Sequence, residues 1–185
     1  ELGFRSSVKI NFRQRTIEPN PYGFVSNRPI NSWDLLGLAD ATIGEIVDII
    51  TEIGPIDAAS ISGTPGEAEG CVTGMSGLWG GEADAVRHCT WLCLMSKKLG
   101  SGPALAVAGI HEKHHPPPTP PKPPSGYGSI EDWKNADNGM DNANNQYGAQ
   151  LGRACGIKDC CSACKSALKQ GQLKVNSSGG YKFGP

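Results

Sequence analysis

Apolar positions recur along this chain with two different periods. In residues 1–38, short aromatic and β-branched runs, Val8 to Phe12 and Tyr22 to Val25, are broken by Pro19, Pro21 and Pro29. Such runs predict short strands and turns. From Ala39 onward the period becomes helical. Ile43, Ile46, Val47, Ile49, Ile50 and Ile53 form one amphipathic stripe, stopped by Gly54-Pro55. Ala83 to Leu99 is the clearest helix, with Val86, Trp91, Leu92, Leu94, Met95 and Leu99 apolar and Gly100 as its stop. Pro103 suits the first turn of a helix that runs on to Lys113. Further helices are predicted from about Asp137 to Ala154 and from about Cys160 to Gln170, with Gly171 as a C-cap. The Gly-, Ser- and Thr-rich stretch Ser60 to Gly81 reads as a loop. The seven prolines between Pro116 and Pro124 read as polyproline II or an exposed loop. The expected fold is therefore all-α from residue 39 to 185, with about five short helices and Gly/Pro-rich loops. A short β-rich segment, residues 1–38, precedes it.

Composition narrows the class. Of 185 residues 38% are hydrophobic, enough for one core and too many for a wholly disordered chain. No apolar run approaches the ~20 residues that cross a bilayer, and no charged stretch leads into an apolar leader, so neither a membrane span nor an intact secretory signal is expected. The 17 basic and 18 acidic side chains leave a net charge of −1, so nucleic acid is not indicated as a partner. The seven cysteines, Cys71, Cys89, Cys93, Cys155, Cys160, Cys161 and Cys164, are an odd number. Three readings stay open: buried or free thiols, one or two disulfides, or a zinc knuckle on the C-x4-C-C-x2-C stretch. The last four cysteines lie beyond the polar cluster described next and are expected to serve stability. A thiol nucleophile at Cys89 or Cys93 is disfavoured, because both point away from the face of His88 on a helix.

All four histidines fall between residues 88 and 115. Asp84, His88 and Trp91 share a helix face, with Arg87 beside them. His111-Glu112 ends the apolar stretch of the next helix. Asp141, Asn145 and Gly148 share a face of a third, in Met-Asp-Asn-Ala-Asn-Asn-Gln-Tyr-Gly (140–148). Asn is a poor interior helix residue, so an adjacent pair points to buried hydrogen bonding or an active centre. Small neighbours, Ala85, Ala108, Gly109 and Ala143, let helices approach closely. His88, His111, Glu112 and Asp141 are therefore expected to converge in one pocket, with Arg87 and Asn145 at its rim.

Two resemblances add to this reading. Asn20-Pro21-Tyr22-Gly23-Phe24-Val25-Ser26-Asn27-Arg28-Pro29-Ile30-Asn31, followed by Asp34-Leu35-Leu36-Gly37-Leu38, resembles the end of an RHS (YD-repeat) core, with Leu35 where that family has Pro. The resemblance implies that a variable C-terminal domain, often a toxin, follows Leu38, where such chains are cut. The series Asp-Ala-x-Arg-His-x-x-Trp, His-Glu, and Met-Asp-x-x-Asn-Asn-x-x-Gly resembles a helical domain found at the C-termini of polymorphic toxins. The Pro-rich stretch is an insertion relative to that pattern.

Two functions follow. In the first, the chain is a secreted or delivered hydrolase effector. His88, His111 and Asp141 would hold Zn or another divalent ion, or act without metal as acid and base; Glu112 would take the proton of water. Arg87, Asn145 and Asp84 would bind the substrate, and a cognate immunity protein and the RHS shell of the parent chain would be its partners. In the second, the domain is a non-catalytic partner-binding module displayed by an RHS shell. Its polar residues would then form a buried network that fixes helix packing.

Overall fold

A computed structural model describes residues 41–176 apart from Pro118 and Pro121. The predicted strands and the RHS-like segment lie outside these residues. Among the described residues there are seven helices and no strand: α1 (Ile43–Ile53), α2 (Pro55–Ile61), α3 (Thr64–Cys71), α4 (Glu82–Leu99), α5 (Ser101–His114), α6 (Ile130–Arg153) and α7 (Cys160–Lys169). The all-α expectation holds over this region. Two expectations do not. The stretch 60–81 carries the end of α2 and all of α3, each entered through a proline in its first turn, where the missing N–H costs nothing. Nor are all the helices short, because α6 runs for 24 residues.

Local chemistry sets the ends. Thr42 Oγ1 accepts from the Glu45 N–H at 3.1 Å, Ser129 Oγ from Asp132 N–H at 3.0 Å, and Asp159 from the N–H groups of Cys161 and Ser162. Gly100, at φ 88°, both ends α4 and opens α5, a corner that a side chain would strain. The described prolines after α5 form neither helix nor strand. Pro117, Pro120 and Pro124 are nevertheless buried, so this segment is not the fully exposed excursion its composition suggests.

The core has two parts around α4. Ile46, Ile49, Ile61, Trp91, Leu92, Met95 and Val107 pack between α1, α2, α4 and α5. Val72, Ala85, Val86, Cys89, Cys164 and Leu173 pack on the opposite side, under α7. Three disulfides cross this second part: Cys71–Cys161, Cys89–Cys164 and Cys93–Cys160. They replace the open readings of free thiols, one or two bridges or a zinc knuckle, and they rule out Cys89 and Cys93 as nucleophiles. Cys160, Cys161 and Cys164 are structural, whereas Cys155 is an exposed thiol outside the network.

The most extensive helix contact is between α4 and α6, and two glycines make it possible. A Cβ on Gly148 would come within 2.9 Å of the Cys89 main chain and collide outright with its carbonyl oxygen. One on Gly152 would lie 2.5 Å from the Cys93 carbonyl oxygen. The helices thus touch backbone to backbone, one turn apart on each. Gly148→Ala is expected to force them apart and cost about 3 kcal/mol, the upper end for overpacking, read as a lowered urea midpoint. An unchanged midpoint would mean that the helices separate freely.

Candidate active centre

The close α4–α6 contact brings together polar groups that each helix displays at its own period. On α4, Asp84, Arg87 and His88 stand at i, i+3 and i+4. On α6, Asp137, Asp141 and Asn145 repeat every four residues, so one stripe of the longer helix faces them. His88 is 3% exposed and lies at the centre. Its Nδ1 is 3.2 Å from Asn145 Oδ1 and its Nε2 is 3.2 Å from Arg87 Nη2. Because the guanidinium can only donate, Nε2 accepts, and Nδ1–H donates to Asn145; the ring is held neutral in one tautomer. Asp141 Oδ1 lies 3.4 Å and Asp84 Oδ1 3.5 Å from Nε2, and Glu112 Oε1 lies 3.6 Å from Nδ1.

Backbone and tail fix the carboxyl groups. Gly80 N–H donates to Asp84 Oδ2 at 2.7 Å, and Arg87 Nη2 pairs with Asp84 Oδ1. Gly80 at φ 70° leaves no space for a side chain, since a Cβ would meet Asp137 Oδ1 at 2.7 Å. Asn176 Nδ2 donates to Asp137 Oδ1 at 3.1 Å, and the Asn176 N–H donates to the Gly80 carbonyl at 2.9 Å. The two adjacent asparagines divide the work. Asn144 exchanges two hydrogen bonds with the main chain of Lys174, at 3.0 and 2.8 Å, while Asn145 orients His88.

Four acidic side chains, Asp84, Glu112, Asp137 and Asp141, therefore surround one imidazole and one arginine. Asp141 Oδ1 and Glu112 Oε1 are buried without a hydrogen-bond partner. Burial, reinforced by the Asp84, Glu112 and Asp137 charges, holds the Asp141 carboxyl far above its usual range. Burial likewise pushes Glu112 and Asp137 up to about 7. Burial and the neighbouring Arg87 charge hold the His88 imidazole well below its usual value. At neutral pH the centre thus pairs an unprotonated base with a carboxylic acid.

These shifts have a stability consequence. A carboxyl whose pKa rises on folding favours the native state at low pH, and that contribution disappears as the pH climbs through the raised value. Asp137 and Asp141 therefore make stability fall from about pH 4 upward. His88 acts oppositely, costing stability as the pH drops below its unfolded value of about 6.5. Asp141→Asn is expected to stabilise the chain at pH 8 by roughly 2 kcal/mol and to flatten the alkaline decline, measured by denaturant titrations at pH 5 and pH 8. A destabilised Asp141→Asn at pH 8 would mean that the carboxylate is held by a compensating charge.

The expected pocket is assembled in part. His88, Glu112 and Asp141 meet, and Arg87, with its side chain 24% exposed, forms a rim. Asn145 is not at the rim but buried at 1% exposure beside His88. His111 is not a third member of the His88–Asp141 group. It turns Nδ1 to Glu45 Oε1 at 2.8 Å, while His115 Nε2 approaches Glu45 Oε2 at 2.6 Å. The reason is helical geometry: neighbours His111 and Glu112 diverge by about 100°, so one faces α1 and the other α4 and α6. Among the described residues, the trios whose ligating atoms all lie within 4.8 Å are Asp84–His88–Asp141 and Glu45–His111–His115. In the first, Arg87 already places a positive charge against both Asp84 and His88. Sequence reasoning missed Asp137, which continues the Asp141–Asn145 stripe one turn back, and Glu45, a polar residue on the buried stripe of α1.

Geometry and fold define an all-α domain built around a buried imidazole–carboxyl centre. The family described as Domain of unknown function (DUF6973) matches residues 70–173, more than half of the chain, and the chain belongs to that family. The match encloses the whole His88 centre and all three disulfides, but not Glu45. No curated protein matches the chain, and no solved structure does. Among the described residues no helix is long and apolar enough to cross a membrane.

Proposed function

We propose that this chain is the C-terminal effector domain of an RHS-repeat protein and a hydrolase that uses His88 as its general base. The observation that carries the reading is a neutral buried imidazole with three carboxyl groups within 3.6 Å, two of them presenting unpartnered oxygens. A network serving only packing would satisfy its members, because unpaired buried oxygens are costly. Chemistry gives them a use. His88 Nε2 takes the proton of a water molecule whose oxygen attacks the scissile centre, and the Asp141 carboxylic acid protonates the leaving group. Proton return from imidazolium to Asp141 across the 3.4 Å gap resets both. Arg87, at the rim, leaves Nε2 to meet the anion that develops on the substrate. A groove of about 750 Å³ between α5 and α6 reaches Asn145; Leu105, Ala108 and Ala149 give it an apolar floor and Arg153 a cationic end.

The RHS-like residues 20–38 support an effector that follows a shell, and three disulfides support delivery into an oxidising compartment. A cognate immunity protein is the partner this role requires. The test is to express the full chain with export to a bacterial periplasm and to assay the purified protein on ester, amide and phosphodiester substrates. Toxicity and turnover of one substrate class are expected. Absence of both from a folded, oxidised protein would leave the partner-binding module as the answer.

A further inference from the structure

We propose a divalent metal site of the zinc class at Glu45, His111 and His115, separate from the His88 centre and independent of the hydrolase reading. Glu45 is 2% exposed, deep in the interface between α1 and α5. A carboxylate is buried there only if its charge is matched. His111 and His115 stand four apart at the end of α5, so their rings project from the same side. The rings stack at 4.5 Å with an interplanar angle of 25°, and the edge of Trp91 closes on His111 at 5.0 Å. Near-parallel rings held by packing aim Nδ1 of His111 and Nε2 of His115 at the two oxygens of one carboxylate, 2.8 and 2.6 Å away.

Two imidazole nitrogens and one carboxylate oxygen within 4.8 Å of one another form a donor set for zinc, cobalt(II), nickel or iron(II) rather than magnesium or calcium. Metal entry replaces the protons that the rings share with Glu45, so binding releases protons and strengthens as the pH rises. The C-terminal carbonyls of α5 also favour a cation at this end. Three protein ligands leave one tetrahedral position for water. A cavity of about 50 Å³ lies alongside, lined by Glu45 and His111 and also by Arg87, His88 and Trp91. It has room for such a water. The C-terminal turn of α5 supplies both imidazoles and the first turn of α1 supplies the acid, so the ion would tie α1 to the region matched by the family.

The test uses the full oxidised chain, stripped with chelator and titrated with zinc by calorimetry and with cobalt(II) by visible absorption. One equivalent is expected, with cobalt(II) bands of a low-coordinate nitrogen–oxygen site. His115→Ala and Glu45→Gln should each weaken zinc binding by about 100-fold or more, while Asp141→Asn, which changes the other trio at a residue that does not line this cavity, keeps the wild-type stoichiometry and affinity. His115, at the helix end, keeps the test available if Glu45→Gln fails to fold. No stoichiometric binding by the wild type would overturn the site, as would binding that survives His115→Ala and is lost in Asp141→Asn. The hydrolase reading fails on a different readout, catalytic turnover.

Discussion

Reduction of the three disulfides is expected to lower stability by about 4 kcal/mol or more, the loop-entropy value for a single bridge of this span. The bridges join residues 90, 75 and 67 positions apart, and every one of them ends on α7. Because the loops overlap, their contributions do not add. The ten residues of α7 bury few large apolar side chains: Cys160, Cys164 and Ala167 make up its buried face. The helix therefore depends on its cross-links, and reduction releases it before the α4–α6 pair separates. The tail should follow, breaking the Asn144–Lys174 and Asn176–Asp137 hydrogen bonds that brace the His88 centre. Hydrogen exchange with and without reductant is the measurement. Unchanged protection over residues 160–176 would show that packing alone holds this end.

Under the proposed general-base role, replacement of His88 by Gln is expected to lower turnover and toxicity by about 1,000-fold while leaving the helices intact. Gln keeps a polar group of similar reach beside Asn145 but offers no base at neutral pH. Arg87→Lys separates the roles further: it keeps the charge but not the planar guanidinium whose Nη2 meets both Asp84 and His88, so substrate affinity should fall more than the maximal rate. A His88→Gln protein with wild-type turnover would end the general-base reading whatever the behaviour of Arg87.

Much of this was legible in the chain, for reasons that can be assigned to residues. The α4 boundaries follow from an apolar period ended by Gly100, and Asp84, Arg87 and His88 lie near enough in sequence that one helix turn fixes their common face. Asp141 and Asn145 were equally readable, with Gly148 on their face, but the close backbone approach at Gly148 came from the structure. The division of His111 from Glu112 was not, because periodicity gives the angle between neighbours but not which neighbour faces which helix. Glu45 escaped because its partners lie 66 and 70 residues away. Helices α2 and α3 were hidden by Gly, Ser, Thr and Pro, residues of low propensity whose helices are held by packing of Ile61, Ala68 and Cys71. Disulfide pairing depends on distances that spacing does not encode.

The adjacency of Cys160 and Cys161 bears on how the chain reaches this state. Six cysteines allow 15 complete pairings, and these neighbours must choose different helices, Cys93 on α4 and Cys71 on α3. In a coil the two thiols are interchangeable, so oxidation that runs ahead of helix formation scrambles them. Once α7 has formed, the turn between successive residues sends each thiol in its own direction. A helix of ten residues is marginal before it is cross-linked, so pairing fidelity follows how often the reduced segment samples the α7 helix when a bridge closes, which makes Asp159, the residue that caps its start, a determinant of pairing as well as of helix stability.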